Sequence, residues 1–168
     1  MKRIIILTAL FLILLPVIQT KAKTKVPEPT FEETVETMVR EHKVMLDRLI
    51  AAWEHRQEEI NLLAEVIYHE NWHTDKEHLA AYYTGAVVMN RVNSKAWPDT
   101  VKKVLYQKGQ YSTTKLFFTK EIPAECYEMA RDIYRNGTPD VPENVIFQAM
   151  RPLGKTWKKV NTDYFCYG

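Results

Sequence analysis

An apolar stripe in residues 60–71, INLLAEVIYHEN, constrains the fold more than any other stretch of the sequence. Ile60, Leu63 and Ile67 recur at the three- and four-residue spacing that places side chains on one face of an α-helix. Glu70 continues this stripe, three residues after Ile67. A carboxyl group at the end of such a stripe is expected where the core meets a cleft. Loss of water contact there raises its pKa, as a general acid requires.

The same residues also spell a zinc-peptidase motif. His69, Glu70 and His73 fit the pattern H-E-x-x-H, in which two histidines on one helix face hold zinc and the glutamate activates a bound water. Residues 74–77, TDKE, form a capping box, a threonine N-cap followed three residues later by glutamate. The helix that carries Glu70 is therefore predicted to end near Trp72. A helix end near Trp72 weakens the zinc interpretation, because His73 then lies outside the helix and does not share a helix face with His69.

The N-terminus predicts export. Lys2 and Arg3 precede an apolar run over residues 4–18, as in a signal sequence. The run is short for a membrane-spanning helix, which needs roughly 20 apolar residues, but residues 20–22, TKA, make a poor cleavage site. Residues 1–22 are thus predicted to be a signal peptide or a membrane anchor. We expect an exported protein, either in the extracellular space and cell wall or tethered to the outer face of the membrane.

A charged linker and a helix are predicted before the stripe. Apolar residues recur at helical spacing from residue 31 to about residue 58, with charged residues between them. This helix is interpreted as a stalk, as a coiled coil that joins two copies into a dimer, or as a helix packed on the domain. The second helix is predicted to begin near residues 57–60. The predicted division is 1–22 signal or anchor, 23–58 linker and helical stalk, and 59–168 folded domain.

The rest of the chain predicts a mainly helical α+β domain with a small antiparallel β element. Proline suits the first turn of a helix and glycine its end, so Pro123 and Gly137 bound one predicted helix. Asp99 or Thr100 is the expected cap of a short helix. The predicted elements are helices at 74–92, 101–106 and 123–134, a candidate strand at 115–119 within a loop of residues 110–120, and two antiparallel strands at 145–148 and 164–167.

Charge and cysteine content narrow the function. The net charge of +2 and the isoelectric point of about 8.4 are too weak a bias to predict nucleic-acid binding. They are compatible with an anionic polymer as partner. The two cysteines, Cys126 and Cys166, could form one disulfide in an exported protein or remain two buried thiols.

Several segments, in order, resemble the SleB/CwlJ-like cell wall hydrolase family. The resemblance extends over about residues 61–167, and its specificity comes from the order and spacing of the segments together. It departs from the family after Glu70, where NWHT stands in place of the usual ARGE, and at residues 148–150, where QAM stands in place of FNP. The similar segments are LLAEVIYHE (62–70), AVVMNRV (86–92), WPDTV (97–101), VLYQ (104–107) and GQYS (109–112), with looser fits at 145–148, at Trp157 and at 164–167.

This resemblance implies a lysozyme-like, mostly helical fold for residues 59–168 and cleavage of the glycan strand of peptidoglycan. Glu70 matches the family's catalytic glutamate. The implied partner is therefore the peptidoglycan glycan strand, with no nucleic acid and no cofactor or metal.

The number of carboxylates separates two mechanisms. A hydrolytic glycosidase usually needs two, and Asp75, Glu77 and Asp99 are candidates for the second, although each also fits the role of a helix cap or first-turn charge. A lytic transglycosylase needs one glutamate, which protonates the glycosidic oxygen and then helps the muramoyl 6-hydroxyl close onto C1. Because the sequence supplies one well-placed carboxylate, Glu70, the lytic transglycosylase mechanism fits best.

Polar residues that could bind the sugar follow in the loop and the first strand. Gln110, Tyr111, Ser112 and Gln148 are the candidates, because tyrosine stacks on sugar faces and serine or glutamine hydrogen-bonds amides and hydroxyls. Arg91 is expected to bond within the helix end, and Trp72 could line the cleft or the core. Two alternatives remain open: a zinc-dependent peptidase or amidase that uses the H-E-x-x-H residues, and a non-catalytic wall-binding module.

Overall fold

The computed structural model describes residues 28–168. The predicted signal or anchor over residues 1–22 lies outside the described residues. The described residues divide into two compact units between Lys43 and Val44. In the described part of the first unit, Thr30 and Glu33 cap a helix reciprocally. The Glu33 carboxylate accepts from the Thr30 amide (2.7 Å), and the Thr30 hydroxyl accepts from the Glu33 amide (3.3 Å).

Helix α1 (Phe31–Asn71) is continuous. The prediction of two helices that meet near residues 57–60 is wrong, because residues 51–63 contain no proline or glycine that would end a helix. What changes near residues 57–60 is the burial of the side chains along this one helix. Residues 44–56 are exposed, whereas Glu59, Ile60 and most residues after them are buried. None of the helices in residues 28–168 has the length and apolar character needed to cross a membrane.

Helix α2 (Leu79–Asn93) begins later than predicted. The Thr74 hydroxyl donates back to the Asn71 carbonyl (2.8 Å) and so does not cap the next helix. The Asp75 carboxylate caps it instead, accepting from the amides of Leu79 (2.8 Å) and Ala80 (3.1 Å). The prediction that Thr74 is the N-cap is therefore wrong. The N-cap residue is His78, four residues later, and the residues between them form turns.

The next elements mostly agree with prediction. Helix α3 (Val101–Leu105) is capped by the Thr100 hydroxyl, and helix α4 (Ala124–Asn136) follows Pro123 and ends at Gly137 (φ 73°). The candidate strand at 115–119 is wrong. Residues Ser112–Leu116 form a 3₁₀ helix, whose first turn is held by the Thr114 hydroxyl donating to the Tyr111 carbonyl (3.0 Å).

A three-stranded antiparallel sheet completes the fold. Strands β1 (Val145–Ala149), β2 (Thr156–Val160) and β3 (Asp163–Tyr167) lie in the order β1-β3-β2. The predicted antiparallel pair of first and last strands is confirmed, with Gln148 opposite Phe165. Strand β2 was missed. The pairing of Val160 with Asp163 closes the tight β2–β3 hairpin and places Asp163 at the start of the central strand.

The core forms where α1, α2 and α4 meet. Gly85 of α2 lies against Ile67 and Ile133, and a Cβ atom at this position would lie 2.7 Å from Ile133 Cδ1. Cys126 and Cys166 are free and buried, which agrees with the buried-thiol interpretation. Burial raises the pKa of the Cys126 thiol to about 12. The mainly helical α+β class is confirmed.

Candidate active site

Glu70 is partly buried in the last turn of α1. Burial raises the pKa of its carboxyl group, because the charged form loses hydration. The Thr113 hydroxyl donates to Glu70 Oε1 and opposes this rise, since the hydrogen bond favours the charged form. The negative charge of Asp163 raises the Glu70 pKa further, and His69 lowers it. The result is a carboxyl group biased toward its protonated form, with Oε2 left for another partner.

The 3₁₀ helix carries Thr113 to Glu70. Ser112, the predicted sugar-binding residue of this segment, is exposed. Its neighbour Thr113 was not predicted as a site residue. In a loop without a repeating pattern, spacing does not tell which of two adjacent hydroxyls turns inward. The signal available was the hydroxyl run Ser-Thr-Thr at 112–114, which marks the segment but not the residue.

Arg91 anchors the chain just before this 3₁₀ helix. It is 4% exposed, and its guanidinium donates to Gln110 Oε1 (3.0 Å), to the Tyr111 hydroxyl (3.4 Å) and to the Ile146 carbonyl (2.7 Å). The guanidinium also lies 4.3 Å from the centre of the Trp97 ring. Arg91 therefore joins α2 to β1 and to the loop, and its bonds are not confined to the helix end as expected.

Tyr111 is buried beside this arginine. Burial raises the pKa of its hydroxyl, the Arg91 charge opposes the rise, and the Glu70 charge adds to it. The hydroxyl therefore stays protonated at neutral pH. Since Tyr111 is 8% exposed, little of its ring is available to a ligand.

Asn71 connects Gln148 to a second carboxylate. Its side chain is 2% exposed. With its amide nitrogen directed toward Asp163, it donates to Asp163 Oδ2 (2.8 Å) and accepts from Gln148 Nε2 (2.7 Å). Gln148 Oε1 is buried and has no hydrogen-bond partner within residues 28–168. An unpaired buried acceptor is costly, which is typical of an oxygen that bonds a ligand.

Asp163 was not among the predicted carboxylates. Burial raises its pKa, and the hydrogen bond from Asn71 opposes the rise. The three predicted candidates for a second carboxylate have other surroundings. Asp75 caps α2, Asp99 pairs with Lys103 (2.8 Å) on the surface, and Glu77 is exposed.

The histidines of the H-E-x-x-H pattern have different surroundings. His69 Nε2 lies 3.3 Å from Glu65 Oε2 in a buried pair, and its ring stacks on Phe117. His73 follows the end of α1 and is exposed. Across the described residues 28–168, no three His, Cys, Asp or Glu side chains are grouped so that they could hold a metal ion. Trp72 is buried in the core and stacks on His78, 3.6 Å between ring centres.

The fold and the site together define a class. A small α+β domain carries a carboxyl group with a raised pKa at a helix end, a second carboxylate and an amide oxygen that is unpaired within residues 28–168, as an enzyme that cleaves bonds by acid–base catalysis would.

The comparison with protein families then specifies the class. The family described as cell wall hydrolase matches residues 79–165, just over half of the chain. The chain belongs to this family, so the predicted resemblance is confirmed, and it is a peptidoglycan hydrolase. The matched region contains Gln148 and Asp163 but begins after Glu70. No curated protein and no solved structure matches the chain.

Proposed function

We propose that the protein cleaves the glycan strand of peptidoglycan as a lytic transglycosylase, with Glu70 as acid and then base. One observation carries this proposal: a partly buried carboxyl group with a raised pKa ends α1 and is held by the Thr113 hydroxyl. A general acid needs such a group, because it must hold its proton near the pH at which the enzyme works.

The proposed reaction uses Glu70 twice. Its carboxyl group gives a proton to the glycosidic oxygen while the bond from that oxygen to C1 breaks, which leaves positive charge at C1. The resulting carboxylate then takes the proton of the C6 hydroxyl, and O6 bonds to C1. The product is a 1,6-anhydro sugar, no water is consumed, and Glu70 regains its proton. Thr113 holds Oε1 during both steps and leaves Oε2 to carry the proton.

Of the four predicted substrate-binding residues, Gln148 and Ser112 are proposed to contact the sugar directly. Gln148 Oε1 is suited to accept the N–H of a sugar acetamido group, since it is buried and unpaired in the described part of the chain. Ser112 is exposed beside Thr113 and can bond a sugar hydroxyl. Gln110 and Tyr111 are bonded to Arg91, so we assign them mainly to holding the loop in place.

The finer fold and the location belong to the same proposal. A lysozyme-like arrangement of the helices and sheet, and export directed by residues 1–22, would bring this domain to the wall. Action on the cell wall itself follows from the family.

Digestion of purified peptidoglycan, with products read by mass spectrometry, tests the proposal. Wild-type protein should release anhydromuropeptides with or without EDTA, and Glu70→Gln should release none. Glu77→Gln is the matched control, because Glu77 is exposed.

The other products point to the alternatives. Muropeptides with reducing ends would replace the lytic mechanism with hydrolysis. Peptides whose release EDTA abolishes would favour the zinc enzyme, and intact peptidoglycan that binds the protein would favour the wall-binding module.

A further inference from the structure

The β2–β3 hairpin lies against the end of α1. Asn161, at the hairpin turn, donates its amide to the Thr74 carbonyl (3.0 Å), just after α1. Asp163 follows two residues later and starts the central strand. The sheet therefore presents Asp163 to the helix end that carries Glu70.

The side-chain amide of Asn71 links the Asp163 carboxylate to the main chain of Glu70. The Asn71 amide nitrogen donates to Asp163 Oδ2 (2.8 Å) and lies 3.2 Å from the main-chain oxygen of Glu70. Asn71 is nearly fully buried, so this hydrogen bond lies in the interior of the folded domain. Burial raises the Asp163 pKa, and the hydrogen bond from Asn71 opposes this rise, because a hydrogen bond donated to a carboxylate favours its ionised form.

We propose that Asp163 is the ionised partner of Glu70, a second carboxylate that keeps Glu70 in its acid form and stabilises the positive charge that develops at C1. This inference rests on the proposed function. It assigns the two carboxylates different charge states, as neighbouring catalytic carboxylates usually have. No atom of Asp163 bonds to the sugar, and no extra reactant is needed.

The groups around Glu70 set the sign of the expected effect. Thr113 on the 3₁₀ helix donates a hydrogen bond to it, Asp163 on β3 and His69 on α1 act on it through their charges, and Tyr111 lies close enough for the Glu70 charge to affect its hydroxyl. Of these, Asp163 supplies the negative charge. Removing that charge lowers the Glu70 pKa, so Glu70 loses its proton at a lower pH.

The test measures the initial rate of anhydromuropeptide release against pH for Asp163→Asn. This change keeps the size of the side chain and an acceptor for Asn71. We expect the maximal rate to fall by about 10- to 100-fold, because a charge aligned with the transition state is lost. We also expect the alkaline limb of the profile to move to lower pH. Asp163→Glu should recover part of the rate, and Asp99→Asn, a surface charge removal, should leave both unchanged.

Two controls separate the possible failures. Thermal unfolding shows whether Asp163→Asn is folded, and a folded variant with a wild-type rate and an unmoved alkaline limb overturns the inference. If that result is found while Glu70→Gln is inactive, the proposed function stands and only the role of Asp163 fails. If Glu70→Gln remains active, the proposed function itself fails. Reducing-end products that Asp163→Asn abolishes would make Asp163 a hydrolytic base and also overturn the inference.

Discussion

Replacement of Thr113 by valine should weaken Glu70 as a catalyst and shift its titration. Valine keeps the shape of threonine but cannot donate to Glu70 Oε1. A hydrogen bond to a charged group contributes about 1.5–3 kcal/mol. Because Glu70 is only partly buried, water replaces part of this, and we take about 1.4 kcal/mol. This corresponds to an about tenfold lower rate.

The direction of the pH shift is the sharper part of this prediction. The lost hydrogen bond favoured the charged form, so Thr113→Val raises the Glu70 pKa further. The alkaline limb of the rate profile should therefore move to higher pH. The assay is the initial rate of muropeptide release from purified peptidoglycan between about pH 4, close to the ordinary pKa of a glutamic acid, and about pH 9, more than two units above that of histidine. Thr119→Val, an exposed threonine, is the control. A wild-type rate together with an unmoved limb would refute the reasoning.

Two further changes test the fold around the site, and a third tests the exposed part of α1. Arg91→Lys should destabilise the protein by about 2–3 kcal/mol in urea unfolding, because lysine cannot replace the bonds of the buried guanidinium; a loss below about 0.5 kcal/mol contradicts this. Gly85→Ala should cost about 1–3 kcal/mol in the same assay, since the new methyl group meets Ile133, and a neutral result would show that α4 yields easily. Leu49 is 59% exposed on α1, so if that face joins two copies, as the sequence predicts as one alternative, Leu49→Glu should convert a dimer into a monomer in sedimentation velocity, and a monomeric wild type excludes the dimer.

The position of Glu70 could be predicted because it depends on local periodicity. The apolar stripe of α1 is buried as expected, with Leu63 and Ile67 at 0% exposure, and Glu70 lies at its end. The antiparallel pairing of β1 with β3 was predictable for a similar reason, since both strands are rich in apolar and aromatic residues. Strand β2, TWKKV, was missed because three of its five residues are exposed and two of them are lysines, which leaves little apolar pattern.

The partners of Glu70 could not be predicted, because they come from distant parts of the chain. Asp163 reaches the site only through the sheet order and the hairpin turn. Thr113 reaches it through a 3₁₀ helix, and the sequence of that segment has no repeating pattern that would predict this helix. The predicted break in α1 had another cause: a change from exposed to buried residues was interpreted as the start of a new helix, although the backbone continues unbroken.

The number of carboxylates, which favoured the lytic mechanism at first, does not decide it once Asp163 is included. The charge states of the two groups matter more. In the proposed mechanism, a carboxylate beside Glu70 makes it a weaker acid when it protonates the leaving oxygen but a stronger base when it takes the C6 proton. Thr113 shifts the Glu70 pKa in the opposite direction, so the proposal has the two groups together set this pKa for both steps.

This balance predicts the behaviour of a double variant. Thr113→Val raises the Glu70 pKa and Asp163→Asn lowers it, so the alkaline limb of Thr113→Val/Asp163→Asn should lie between those of the single variants. The rate should stay low, because neither lost interaction with the transition state is restored. If Thr113 and Asp163 both act on Glu70, their effects on the pH limb oppose each other while their effects on the rate accumulate. A limb that moves in the same direction in both single variants would show that at least one of them acts on a group other than Glu70.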